Sequence, residues 1–232
     1  MANRAFVMAR LIQVKVRRSG RRDKGLREKQ EGNTMKHLAF AALSALALST
    51  PMALAQSAGD ITVGLGVGTV DPTSGNGTLA GQPTDVDSGT AVVFTAEYFI
   101  KDNLGIELLA ATPFNHTATI SGVGTVATKQ LPPTLSLNYH FANDSKWTPY
   151  IGVGVNYTTF FEENSALGNV ALDDSFGLAA QVGVDYALSD KDAVRATLRY
   201  IDIDTDARLN GAPIGTANID PLVYSFSYVR KF

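Results

Sequence analysis

The 232 residues contain no cysteine and carry a formal net charge of −2, so no disulfide framework can hold the fold and no bulk charge draws the chain to nucleic acid. That small net charge hides a split: residues 1–34 hold ten Lys/Arg against three Asp/Glu, residues 56–232 nine against nineteen. No segment of 56–232 has the ~18 continuous apolar residues of a spanning helix, so this part could cross a bilayer only as a closed barrel, which satisfies its backbone N–H and C=O groups internally.

A basic leader can indicate nucleic acid or anionic lipid, but a stronger pattern follows it. Met35-Lys-His opens a short n-region, Leu38–Leu48 is an apolar run too short to span, and Ala53-Leu54-Ala55 is a cleavage site. The pattern predicts a start at Met35, a signal peptide over 35–55, export, and a mature domain over 56–232. Residues 1–34 are then a dispensable extension.

Eight strands are predicted after it from alternation with period two. Ile61–Val70 alternates apolar residues with Gly64, Gly66 and Gly68, which suggests a closely packed lumen wall. A long polar linker, including 82–89, leads to Thr90–Ile100, the tight turn Lys101-Asp-Asn103, and Leu104–Thr112. Pro113–Lys129 reads as a long Gly/Thr-rich loop and Gln130–Phe141 as the fourth strand, paired fully only after Pro132 and Pro133. Trp147–Phe161, Asp174–Leu188 and Ala193–Ile203 follow, separated by a long loop at 162–173 and a tight turn at 189–192. After a long loop at 204–219, the last strand alternates Leu222, Tyr224, Phe226 and Tyr228 with Val223, Ser225 and Ser227, and ends on Phe232.

Long and short connections alternate. This is the asymmetry of an eight-stranded antiparallel transmembrane β-barrel with long extracellular loops and short periplasmic turns. Aromatic residues fall at the strand ends: Tyr98, Phe99, Tyr139, Phe141, Trp147, Tyr150, Tyr186 and Phe232 at the turn side, and Phe114, Phe160, Phe161 and Phe176 at the other. They fit girdles at headgroup level, although aromatic residues are also ordinary strand formers. Tyr228 and Phe232, on the aromatic face of the last strand, are the expected membrane-assembly signal. An amphipathic strand of a soluble sandwich is the alternative for that stretch.

Asp102-Asn-Leu-Gly-Ile-Glu-Leu-Leu-Ala-Ala-Thr-Pro-Phe114 resembles the OmpW family of small outer-membrane proteins. So do Leu131-Pro-Pro-Thr134, Pro149–Phe161, Gln181-Val-Gly-Val-Asp-Tyr186 and Tyr200-Ile-Asp-Ile-Asp-Thr205, in the family's order. The resemblance implies an outer-membrane barrel with a narrow lumen and a role in passing small hydrophobic compounds. It also implies the lipid bilayer and lipopolysaccharide as surroundings, the barrel-assembly machinery as a partner, and phage or bacteriocins as possible ligands of the loops.

If the apolar sets face lipid, the opposite parity points inward: Glu97, Glu107, Asn138, His140, Asn156, Gln181, Asp185, Arg195 and Arg199. Acids and arginines facing each other in a narrow barrel form ion pairs that plug it, since an unpaired charge there is costly. Leu109 breaks the pattern. It stands where the family has an apolar constriction, or it is ordinary barrel filler. Arg199 occupies a place where an aromatic residue is expected.

No catalytic set is readable, with His116 in a long loop and His140 near the turn-side rim, so the chain is read as no enzyme and as needing no cofactor. Asp202-Ile-Asp-Thr-Asp206 imitates the opening of a calcium loop, but Ala207 and Pro213 stand where glycine and glutamate are required, which excludes an EF-hand. The expectation is a passive conduit for small apolar molecules. The alternatives are a non-transporting barrel whose loops are recognised from outside, with residues 163–172 the candidate loop, and a soluble periplasmic ligand-binding barrel.

Overall fold

The computed structural model describes residues 56–232; the expected extension (1–34) and signal peptide (35–55) lie outside the described residues. In chain order the strands are β1 (Ile61–Asp71), β2 (Thr78–Leu79), β3 (Gln82–Val86), β4 (Gly89–Lys101) and β5 (Leu104–Ala111). There follow β6 (Phe114–Ile120), β7 (Gly124–Leu131), β8 (Thr134–His140), β9 (Trp147–Asn164) and β10 (Val170–Leu172). The last five are β11 (Ser175–Ala187), β12 (Asp192–Ile201), β13 (Asp204–Leu209), β14 (Ala212–Asn218) and β15 (Leu222–Lys231).

Eight of these close a barrel, each antiparallel to its neighbours: β1, β4, β5, β8, β9, β11, β12 and β15 in order around the wall. The last strand returns to the first, with Val70 opposite Val223 and Leu65 opposite Tyr228, so neither is left as an open edge. Period-two alternation sorts the side chains. Val67, Leu108, Val153, Leu178 and Phe226 project outward and are exposed, while Glu97, Glu107, Asp185 and Arg195 of the opposite parity are buried inside.

The inward glycines of β1 allow this narrow wall. A Cβ at Gly66 would lie 2.1 Å from the Phe226 carbonyl oxygen, and one at Gly64 would lie 2.3 Å from Thr95 Oγ1. Both positions are therefore closed to any larger residue unless the wall or Thr95 shifts.

Beyond the barrel, the segments read from the sequence as loops are ordered strands. The expected linker over 82–89 contains β3. The expected loop over 113–129 is the β6–β7 hairpin, which pairs Phe114 with Gln130 and Ile120 with Gly124. The loop expected over 204–219 is the β13–β14 hairpin, and 162–173 contains β10, which pairs with β13. β9 runs 18 residues and carries its ladder past the barrel to pair with β7, so the extension grows out of the wall. Turn chemistry permits these hairpins: Asn210 and Gly211 both have positive φ (51° and 85°), the geometry an Asn-Gly turn supplies.

Four expected girdle residues face inward. Phe99, Tyr150, Phe114 and Phe160 are buried, because they share parity with Glu97, Thr148, His116 and Thr158. A place at a strand end fixes height, and parity alone fixes the face. Tyr98, Tyr139, Phe141, Trp147 and Phe232 do face out at the turn end, where the Trp147 and Tyr186 rings meet at 4.6 Å. Phe176 is exposed at the other end.

Candidate functional site

The lumen has two levels. Toward the tight turns it is charged. Arg195 forms a two-pronged fork on Asp185, with Nε donating to Oδ1 at 2.6 Å and Nη2 to Oδ2 at 2.9 Å. Its Nη1 donates to Glu97 Oε2 (3.1 Å) and Glu107 Oε2 (2.9 Å). Arg199 donates to Glu107 Oε1 (2.8 Å) and to Gln181 Oε1 (2.6 Å). Gln181 Nε2 reaches Asn138 Oδ1 at 2.5 Å, Asn138 Nδ2 donates to Glu97 Oε1 at 3.0 Å, and His140 Nε2 lies 2.9 Å from the same oxygen.

Each of these side chains is at most 3 % exposed, so three carboxylates and two guanidiniums sit out of water with most of their hydrogen-bonding capacity filled by one another. The inward-pointing residues anticipated from parity are all brought together here, except Asn156 and Leu109, which lie nearer the extension. Asn156 donates to Pro133 O and Thr134 Oγ1.

Tyr150, Thr197 and Phe99 also belong to this level and lie outside the expected lumen set. Tyr150 stacks on His140 (ring centroids 4.9 Å apart), carries the Arg195 guanidinium 4.7 Å above its ring, and hydrogen-bonds Thr197 at 2.6 Å. Phe99 meets His140 edge-on at 5.2 Å. The glycines opposite make room for this packing. A Cβ at Gly183 would lie 2.4 Å from the Tyr150 ring, at Gly105 2.5 Å from Glu97, and at Gly152 2.1 Å from Asn138. Their inward parity was the available signal.

One inward step toward the extension the chemistry reverses. Glu107 gives way to Leu109 on β5, Gln181 to Ala179 on β11, and Arg199 to Ile201 on β12. Leu109 joins Val70, Val93, Phe114, Phe160, Ile203 and Val223 in a buried apolar cluster. A second cluster, with Leu79, Ile120, Val126, Val170, Ala207 and Ala217, fills the extension, and Leu172 packs against both. Leu172 thus links the apolar level at Leu109 to the apolar interior of the extension.

The wall is interrupted beside this level. Pairing between β5 and β8 ends at Leu109 with Thr134, and pairing between β6 and β7 begins at Phe114 with Gln130. Pro113, Pro132 and Pro133 fall in the gap, and none has an N–H to give a ladder.

Two of the three acids that imitate a calcium loop, Asp204 and Asp206, are engaged within the hairpin. Asp204 accepts a hydrogen bond from Asn218 Nδ2 and Asp206 one from Thr216 Oγ1, at 2.5 and 2.6 Å. They lie on or beside strand β13 rather than in a ligand-bearing loop. His116 and Gln130 face into the extension, both buried.

The sequence profile of the OmpW family matches residues 57–232. Outer membrane protein W of Escherichia coli strain K12 is 40 % identical over 212 residues, covering 85 % of this chain and 100 % of the relative. The dibenzothiophene metabolism operon protein PahQ of Pseudomonas aeruginosa is 30 % identical over 164 residues, 66 % of this chain and 77 % of that one. Among solved structures, the crystal structure of the outer membrane protein OprG from Pseudomonas aeruginosa superposes with a TM-score of 0.68 at 36 % identity, covering 78 % of this chain and 99 % of that chain. The exposed apolar band is thus the lipid-facing surface of a barrel in the outer membrane, and the chain belongs to the OmpW family.

Proposed function

We propose that the protein is a passive conduit for small apolar molecules, which enter through the extension, reach the apolar level at Leu109 and leave sideways into the membrane. The observation that carries this reading is the reversal of lumen chemistry between Glu107 and Leu109. An apolar solute loses nothing against Phe114, Phe160 and Ile201. To continue down the axis it would have to part Arg195 and Arg199 from their carboxylates, leaving charges buried and unpaired, which costs several kcal/mol (roughly 3–5 for one broken pair). On this reading such a solute leaves at the break in the ladder between Leu109 and Phe114, which lies beside the apolar level. The dibenzothiophene named for one relative is a solute of this class. On this reading the charged level is a plug, and Tyr228 and Phe232 serve assembly into the membrane rather than transport.

The test is Leu109→Arg, which places a charge at the top of the plug. Entry of a small apolar fluorophore into cells of matched membrane integrity should fall to the rate of cells lacking the protein. Entry at the wild-type rate would show that the route does not pass Leu109.

A further inference from the structure

The lipid-facing wall is not evenly clad. On the side of the tight turns a groove of about 370 Å³ runs over β12, lined by Trp147, Val184, Tyr186, Val194, Ala196 and Phe226. The register explains it. Tyr186 stands opposite both Trp147 and Val194, and Val194 opposite Tyr228. One outward step further from the turns, Ala196 stands between Val184 and Phe226. The strands flanking β12 lie roughly 10 Å apart, so aromatic rings on either side rise over a floor of valine and alanine. The next outward residues of β12, Leu198 and Tyr200, are bulky.

The groove belongs to the exposed apolar band, so what covers it is the hydrocarbon of the bilayer. Its turn end carries charge. Arg230, the outward residue beyond Tyr228, stands opposite Asp192, and its Nη1 donates to Asp192 Oδ1 at 3.0 Å. That carboxylate is already well occupied: Tyr228 donates to the same oxygen, and Ser189 Oγ to Oδ2 at 2.7 Å. A guanidinium has five N–H groups. Arg230 gives one to Asp192, and its side chain is half exposed. The mouth of the groove therefore offers donors rather than acceptors, which suits a phosphate and not an ammonium headgroup.

We infer that this groove is a binding site for one anionic phospholipid of the leaflet at the tight turns, which is the periplasmic one. An acyl chain lies along Val194 and Ala196 between the rings of Trp147 and Phe226, and the phosphate accepts from Arg230. The site is on the outer wall and does not depend on the conduit reading.

Trp147 is the single tryptophan of the sequence, so its fluorescence reports on this groove alone. The experiment places the barrel in phosphatidylcholine vesicles. They contain a small fraction of phosphatidylglycerol brominated on its acyl chains, or the same fraction of brominated phosphatidylcholine. Quenching should correspond to a roughly fivefold enrichment of phosphatidylglycerol beside Trp147, the scale of one basic side chain at an anionic lipid. Arg230→Gln should remove most of that enrichment, and Arg230→Lys should keep it. Lys101→Gln, which removes a charge at a different tight turn, should leave it unchanged. Ala196→Leu fills the groove and should weaken quenching by both lipids. Equal quenching by the two lipids in the wild type, or an equal loss from Lys101→Gln and Arg230→Gln, would reduce the effect to general attraction and overturn the inference. Undiminished quenching in Ala196→Leu would put the acyl chain elsewhere and overturn it as well.

Discussion

The two levels of the lumen are built from the same strands and held by different physics. Around Arg195 the interior is a network of short, directed hydrogen bonds, and glycines at 105, 152 and 183 open room for it. Around Leu109 the interior is mostly packed apolar surface, linked to the extension through Leu172, with the neutral hydrogen bonds of Asn156 to Thr134 and Thr158 beside it. A network of charges tolerates little change in any member, because each loss strands a partner in low dielectric. An apolar cluster loses energy in proportion to the surface removed, and it can yield to a guest. The charged level therefore suits a fixed floor and the apolar level a passage.

Arg195→Leu should break the comparison most severely. It removes the shared partner of Asp185, Glu97 and Glu107 and leaves buried carboxylates uncompensated. The expected loss is roughly 3–5 kcal/mol of unfolding free energy, measured by urea unfolding of the lipid-reconstituted barrel. A loss below about 1 kcal/mol, the range of surface ion pairs, would mean that water reaches the network and that the floor is not closed.

Gly152→Ala should cost less and sharpen the same point. The new methyl would lie 2.1 Å from Asn138 Oδ1 and 3.0 Å from Gln181 Cγ, so Asn138 must turn away from Gln181 and Glu97. Overpacking of this kind costs about 1–3 kcal/mol, read by the same unfolding assay. A neutral result would show that the network can rearrange as freely as the apolar level.

Much of this division was legible in the sequence. Parity placed Glu97, Glu107, Asp185, Arg195 and Arg199 inside because a barrel wall has two faces and the opposite parity was apolar throughout. It missed Phe99, Tyr150, Phe114 and Phe160, since height at a strand end suggested a girdle and outweighed the face. The extension was read as loops because its strands are short, rich in glycine and threonine, and lack an apolar outer face. Asn210-Gly211 was a usable hairpin signal within the supposed loop. That His116 and Gln130 share the buried face of the hairpin was out of reach, because it depends on the register of β6 and β7, which alternation alone does not set.

The smallest expected effect falls on the extension alone and separates it from the barrel. His116 is held below the ordinary imidazole pKa of about 6.5, first by burial, opposed by its hydrogen bond to the Asp87 carbonyl and by the Asp87 charge. A lowered pKa means that the folded hairpin binds fewer protons than the unfolded one near pH 6.5 and below, so its stability rises with pH there. The contribution of neutral His116 is complete above about pH 6.5 and is lost as pH falls through that value and below it. Amide hydrogen exchange in 114–131, corrected for the intrinsic rate, should therefore be faster at pH 5.5 than at pH 7.5. Exchange in β1 and β15 should not change, and His116→Leu should abolish the difference in the hairpin. A pH effect that persisted in His116→Leu would assign it to the neighbouring Lys129–Glu162 pair or to Asp87 instead. An effect of equal size in β1 would mean that extension and barrel unfold as one unit, and the two levels would then share a single stability despite their different chemistry.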